Sequence, residues 1–331
     1  MKSNRRTRSI YSVHISQLGI SLFRGAYHLH GIEAKLKKQE QVFFEGGLVD
    51  VSVAWRDIFQ GRMTTDIVLE NARVMLTPQI LDAFKKAPKK AEEDSKKAAS
   101  KLFPVRVERI DIHNSSFQFA DLVSIPEAAR WRMTKIDGRA SNLTPSAENP
   151  LTLVSLKGAL FDKAFVRLAA QVNQISKPLA WKADVELKDF NLPDANGWLI
   201  QKLPLTFSAG KLDLFSEVKS ENDKIEGYVK PFFKKAVVIA QQQHFISLKH
   251  FGIELSTAAI NLILRDSATH TLATKALFSY ENGEFKLNSA KAISDAIKNG
   301  FSEKIPEGID DEISLTRDNQ KKFTRSQGDK P

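Results

Sequence analysis

The sequence predicts a mainly β fold, a curved and twisted antiparallel sheet with a few short flanking helices. Apolar and polar residues alternate along many short windows, which is the pattern of strands that are apolar on one face and wet on the other. The clearest window is 181–188, where Trp181, Val185 and Leu187 share one face. Lysines alternate with acidic residues on the other face of this window.

A second apolar row lies near the start of the chain, where Val49, Val51, Val53 and Trp55 occupy alternate positions. Together with Trp181, Val185 and Leu187, these side chains are our candidates for an apolar groove. Apolar strand faces are usually covered by another layer, so the common alternative is that both rows form core. Alternation alone leaves the two interpretations open.

Several apolar rows change phase along the chain. Val107 occupies an odd position and Ile110 an even one, and Ile15 and Leu18 are out of step in the same way. One extra residue in a strand produces such a change and bends the sheet. A turn between two strands would produce it as well, and the sequence does not choose between them.

Helices are predicted at three places. Thr77 and Pro78 carry N-cap and first-turn signals, residues 193–198 suggest a short helical turn, and residues 290–301 keep a helical apolar spacing.

The chain divides into four predicted segments. Residues 1–84 form an N-terminal β segment with a short helix, and residues 85–103 form a charged linker rich in lysine, alanine and acidic residues. Residues 104–305 form the main β domain with a C-terminal helix. Residues 306–331 read as a disordered polar tail.

Composition limits the chemistry of the chain. It has no cysteine, which excludes disulfides and thiol catalysis. A net charge of +10 favours anionic partners such as nucleic acid, acidic lipid headgroups or lipopolysaccharide. Lysines alternate with acidic residues instead of clustering beside aromatic side chains, so the pattern disfavours nucleic acid. The longest stretch without charged residues, 9–23, is too polar for a membrane-spanning helix.

No catalytic or metal site is predicted. His28 and His30 share a strand face, but companion zinc ligands are missing from the pattern. Asp111 and Asp121 flank a predicted strand–turn–strand unit and are more typical of strand ends than of acid–base pairs. Nucleotide-binding and nucleophile-elbow motifs are absent. We therefore expect no enzyme activity and no cofactor.

The order of several weak motifs resembles one family. SFQFAD at 116–121 is followed by a proline-containing loop and by IDGRASNL at 136–143, and IEGYVKPFF occupies 225–233. Together with GGLVDVSVAWRDIFQG at 46–61, these pieces are similar to the repeating pattern of AsmA-like bacterial envelope proteins, in a branch known only as a domain of unknown function.

The resemblance implies a groove-forming sheet whose concave face is apolar, and it implies no catalytic residues. It implies a place in the periplasm or cell envelope, and binding or movement of phospholipid or another anionic envelope lipid. Such proteins usually begin with a membrane-spanning anchor, and the sequence shows no such segment. Two interpretations stay open: an inner-membrane anchor in a segment absent from this chain, or a soluble variant. The alternative function is an assembly module that binds envelope proteins through exposed strand edges.

Overall fold

The structure is a computed structural model. It describes residues 10–21, 23, 25–37, 40–53, 64–85, 106–119, 131–144, 146, 149–199, 205–240, 271–273, 275–287 and 305–315. The described residues confirm the mainly β prediction, because most of them lie in strands, and these strands form one large sheet.

The sheet contains fifteen described strands. They are β1 Tyr11–Ser21, β2 Ala26–Leu36, β3 Val42–Val53, β4 Thr64–Glu70, β5 Arg73–Leu76, β6 Arg106–Phe119, β7 Trp131–Ser141, β8 Leu151–Leu160, β9 Ala164–Asn173, β10 Ala180–Asn191, β11 Leu205–Glu221, β12 Lys224–Ala240, β13 Thr271–Ala273, β14 Ala276–Glu281 and β15 Glu284–Leu287.

The described helices are short. Helix α1 spans Pro78–Lys85, and the Thr77 hydroxyl caps it by accepting a hydrogen bond from the Ile80 amide at 3.2 Å. A 3-10 turn at Leu192–Ala195 continues into α2 at Asn196–Leu199. Both agree with the sequence-based prediction. The predicted helix at 290–301 lies outside the described residues, as does the predicted linker after Lys85.

Neighbouring strands follow chain order and are antiparallel, with one exception. Strands β4 and β5 fill one position between β3 and β6 and run parallel to β6. They are separated at Asn71, whose φ of 56° interrupts the extended backbone. Because β3 and β6 meet through this position, strands from the predicted N-terminal segment and the predicted main domain belong to one sheet.

The phase changes in the sequence arise inside strands and not at turns. In the ladder between β4 and β6, Thr65 pairs with Val107 and the next residue, Asp66, pairs with Arg109, so β6 carries a bulge. Strand β1 is continuous through its phase change, which lies opposite Gly31 of β2. Gly31 has a φ of 60°, and a Cβ there would stand 2.6 Å from the Ser16 hydroxyl. The turn interpretation is therefore wrong for both strands.

One row of directly paired apolar positions crosses the sheet. Residues that pair in a ladder point to the same side, so the row can be followed from strand to strand. It runs through Val49, Leu69, Ile112, Gly138, Leu156, Leu168 and Val185. We call this side the apolar face. The two predicted apolar rows, far apart in the chain, therefore lie on the same side of one sheet.

The opposite side of the sheet is the polar face. A second row of pairs runs along it through Asp111, Arg139, Ser155, Ala169, Asp184, Glu217 and Tyr228. Its C-terminal end is covered by residues 305–315, which we call the strap. The sequence predicts a disordered polar tail from residue 306, whereas the structure places the first part of that segment against the sheet. Residues 316–331 lie outside the described part of the chain.

Candidate functional site

The first predicted apolar row forms a core. Val49 is 8% exposed and Val51 is 2% exposed, and both pack in one cluster with Leu29. Partly buried Ile32, Ile67 and Leu69 surround this cluster. Val53 is half-buried, and Trp55 lies outside the described residues. At this end of the sheet, the protein's own side chains fill the apolar face.

The second predicted row is less enclosed. Trp181, Val185 and Leu187 are each half-buried. Their large apolar neighbours on this face are half-buried as well, whereas the small Ser216 opposite Val185 is buried. These neighbours include Leu156, Leu168, Leu214, Val218 and Val229. The side chains of an apolar strand face under a second packed layer would be buried, as the Val51 side chain is. This stretch of the apolar face therefore keeps contact with solvent.

A hydrophobic cluster closes one end of this open stretch. It consists of Phe161, Ala164, Phe190 and Ala195, with Leu187 packed against it. Ala195 belongs to the 3-10 turn, which folds back over the sheet directly after β10. A bulge after Leu187 makes this possible, since Asp189 has a φ of 57° and its amide donates to the Asp213 carboxylate at 2.7 Å. The ring centroids of Phe161 and Phe190 lie 5.9 Å apart.

The far edge of the apolar face carries exposed apolar side chains. On β1, Leu18 pairs with Leu29 and Ile20 pairs with Tyr27, so both follow the face outward from the core cluster. Tyr27 is exposed too. The apolar face thus has three zones: an exposed edge at β1, a packed core around Val51, and a half-open stretch around Val185.

On the polar face, arginine and aspartate side chains of neighbouring strands form ion pairs. Arg109 lies 2.6 Å from Asp66 and 3.1 Å from Asp111, and Arg139 lies 2.5 Å from Asp111. The prediction that Asp111 lies at a strand end beside a turn is wrong, because β6 is continuous from Arg106 to Phe119 and Asp111 is buried inside it between the two arginines. Asp121 lies outside the described residues. His28 contacts Asp50 at 3.3 Å and so faces an acid instead of sharing a ligand with His30.

The strap attaches to the polar face through lysine side chains and through main-chain amides. The Lys230 ammonium lies 2.5 Å from Asp310, and the Lys275 ammonium lies 2.9 Å from Asp310 and 2.6 Å from Glu312. The Asp310 amide donates to the Tyr228 hydroxyl at 2.8 Å. The Glu312 amide donates to the Glu217 carboxylate at 3.1 Å. Beneath the strap, the side chains of Phe215, Glu217, Tyr228, Lys230 and Phe232 are almost completely buried.

This environment shifts several pKa values. Burial raises the pKa of Tyr228 far above its ordinary value, and nearby Glu217 adds to the shift. Burial alone would raise the pKa of Asp310, but hydrogen bonds and charge from Lys230 and Lys275 outweigh it, so that pKa lies below its usual range. Burial raises the pKa of Asp184 despite its contact with Lys182. The two lysines therefore favour the charged form of Asp310, which holds the strap against the polar face.

Two carboxylates of the polar face and one of the strap lie close enough together to suggest a cation site. Oxygens of Asp184, Glu217 and Asp311 lie within 4.8 Å of one another. The Lys182 ammonium, however, lies 3.2 Å from both Asp184 and Glu217. The Lys182 ammonium therefore offsets part of the negative charge of this cluster.

A scan against protein-family models finds no match for this chain, and a search of the curated proteins finds none either. None of the helices in the described part of the chain has the length and apolar character needed to cross a membrane. The AsmA-like resemblance accordingly stays a prediction from the residues quoted above.

Proposed function

We propose that this chain is a non-enzymatic protein of the bacterial cell envelope, AsmA-like, which binds or helps to move lipid along the apolar face of its sheet. One observation carries the proposal. The apolar face continues from the core at Val49 to the half-buried stretch at Val185 without a charged residue in the row that connects them.

The length of the half-open stretch suits an acyl chain. From Leu156 across Val185 to Val229 it spans four strand spacings of about 4.8 Å, which gives roughly 19 Å. A bilayer's hydrocarbon core is about 30 Å thick, so the tails of one leaflet need about half of that. Each methylene removed from water contributes about 0.8 kcal/mol, so even partial contact with the half-buried stretch favours binding. The net charge of +10 would attract anionic headgroups.

The test is lipid recovery from the purified full chain. Protein isolated from bacterial membranes is extracted with organic solvent, and the extract is analysed by mass spectrometry. We expect stoichiometric phospholipid. Repeated preparations that are folded and free of lipid would overturn the proposal and favour the assembly function.

A matched pair of variants locates the binding surface. Val185→Lys places a charge on the apolar face, whereas Leu153→Lys makes the same change on the polar face, where Leu153 pairs with Gln171. We expect the first to lose bound phospholipid and the second to keep it. Circular dichroism of both variants shows whether the fold is retained, and equal lipid content in two folded variants would place binding elsewhere.

The second candidate is a module that assembles envelope proteins through an exposed strand edge. It is favoured by β1, an edge strand of eleven residues with exposed apolar side chains. This function requires no lipid, so lipid-free protein that retains a specific envelope protein would support it.

A further inference from the structure

Strand β1 is an unprotected sheet edge. Among the described strands it lies at one end of the order and pairs on one side only, with β2. Its eleven residues, YSVHISQLGIS, include no charged residue and no proline. Val13, Ile15, Leu18 and Ile20 are 53%, 43%, 58% and 60% exposed. Natural edge strands usually carry lysine, proline or a short length to prevent pairing with another chain, and β1 has none of these features.

The edge at the other end of the described strand order is different. Strand β15 has four residues, and two of them are charged. Lys286 lies 3.5 Å from Glu284, and both are well exposed. Short length and charge are the usual protection of an edge. The contrast indicates that β1 is kept open for pairing, while β15 is not.

The apolar positions of β1 are symmetric about the middle of the strand. Ile15 and Leu18 lie on either side of the midpoint between Ser16 and Gln17, and Val13 and Ile20 lie at equal distances further out. Ile15 pairs with Ile32 and Leu18 pairs with Leu29. Because Ile32 and Leu29 pack in the same core cluster, Ile15 and Leu18 point to the same side of the sheet.

We propose that β1 pairs antiparallel with β1 of a second copy of this chain, about a two-fold axis next to Ser16. This register sets Ile15 opposite the partner's Leu18 and Val13 opposite the partner's Ile20, so that all four apolar positions meet apolar positions on one face. Such an interface is isologous, as closed dimers require. The apolar faces of the two sheets then form one continuous surface.

The phase change in β1 is what allows Ile15 to pair with the partner's Leu18. Residues three apart in a regular strand point to opposite sides and present opposite main-chain orientations, so Ile15 and Leu18 could not face each other across a two-fold axis. The irregularity opposite Gly31 brings them into the same orientation. Because β1 has no charged residue, two copies of it can pair without like-charge repulsion. A different protein that recognises its partner by charge would find no charged side chain on β1.

The first experiment measures mass by light scattering of the full chain. We expect twice the mass of the 37.1 kDa chain. Leu18→Lys adds the charge that natural edges use, and we expect it to give a monomer with unchanged circular dichroism. Phe285→Lys makes a matched change at the exposed β15 edge and should leave the dimer intact. A monomeric wild type, or a dimer lost only in Phe285→Lys, would overturn the proposal.

The second experiment uses the absence of cysteine in the chain. Ser16→Cys places two thiols next to the two-fold axis, so we expect a disulfide-linked dimer under mild oxidation. Ser12→Cys is the matched control, because its copies would stand nine residues apart along the strands, roughly 30 Å. Equal crosslinking of the two variants, or an edge occupied by a different protein in native preparations, would contradict this register.

Discussion

The ammonium of Lys230 lies 2.5 Å from Asp310, eighty residues later in the chain, and Lys230 is fully buried. A lysine in the middle of an alternating strand would ordinarily reach solvent. Here it is enclosed because the strap crosses the polar face and supplies the carboxylate. The most deeply buried part of this sheet therefore depends on a segment that belongs to no strand.

We predict that Asp310→Asn destabilises the fold by about 3 kcal/mol, near the lower end of the range for breaking a buried ion pair. The variant leaves the Lys230 charge buried without its acid. Urea unfolding followed by circular dichroism measures the change. Asp189→Asn, which removes the exposed pair with Lys211 at 2.9 Å, is the control and should change the free energy of unfolding little. Adding Lys230→Met to Asp310→Asn should recover part of the loss, and no recovery would contradict this account.

We also predict that acid weakens the attachment of the strap. The pKa of Asp310 is lower in the folded protein than in the unfolded chain, so its stabilising contribution is present above the unfolded pKa and is lost as the pH falls through the folded one. Asp184 has the opposite sign, because burial raises its pKa and its protonation favours the folded state as the pH falls. The difference in unfolding free energy between wild type and Asp310→Asn isolates the first effect. This difference should shrink from neutral pH towards acid, and a constant difference would be evidence against the ion pair.

We predict that the phase change in β1 requires glycine at position 31, so that Gly31→Ala destabilises the fold. Gly31→Ala forces a side chain onto a positive φ, which costs about 1–2 kcal/mol, and brings its Cβ against Ser16. Gly283→Ala is the matched control, since its φ is 83° but a Cβ there meets nothing within 4 Å. We expect thermal unfolding to show a larger loss for Gly31→Ala than for Gly283→Ala. Equal losses would mean that the contact with Ser16 is not a constraint.

The sequence predicts where the strands lie better than it predicts which strands share a face and what covers each face. Alternation identifies Val185 and Leu187 as one side of a strand, because a period of two follows from strand geometry itself. That Val49 lies on the same face could not be read from the pattern. Six ladders separate the two valines, and every bulge among them can exchange the faces.

The strap could not be predicted for a different reason. Residues 305–315 have no strand or helix periodicity, and their charges resemble a solvated tail. Their position depends on partners such as Lys275 and Tyr228, which lie in strands distant in sequence. The sequence likewise predicts solvent-exposed side chains for Lys230 and Glu217, which are buried in the structure. Alternation shows which face a residue occupies but not what covers that face.

The last prediction compares the packed core and the half-open stretch of the apolar face. Val51→Ala removes two methyl groups from a buried cluster, and at about 0.8 kcal/mol per carbon plus a cavity cost it should destabilise the protein by about 2 kcal/mol. Val185→Ala removes the same atoms from a half-buried position and should cost less than half as much. Urea midpoints of the two variants measure this contrast in lipid-free protein. Addition of phospholipid should raise the midpoint of wild type more than that of Val185→Ala, because ligand that binds only the folded state stabilises it. Equal losses in the two variants would mean that the Val185 stretch is packed core, and the apolar face would then offer no surface for a lipid tail.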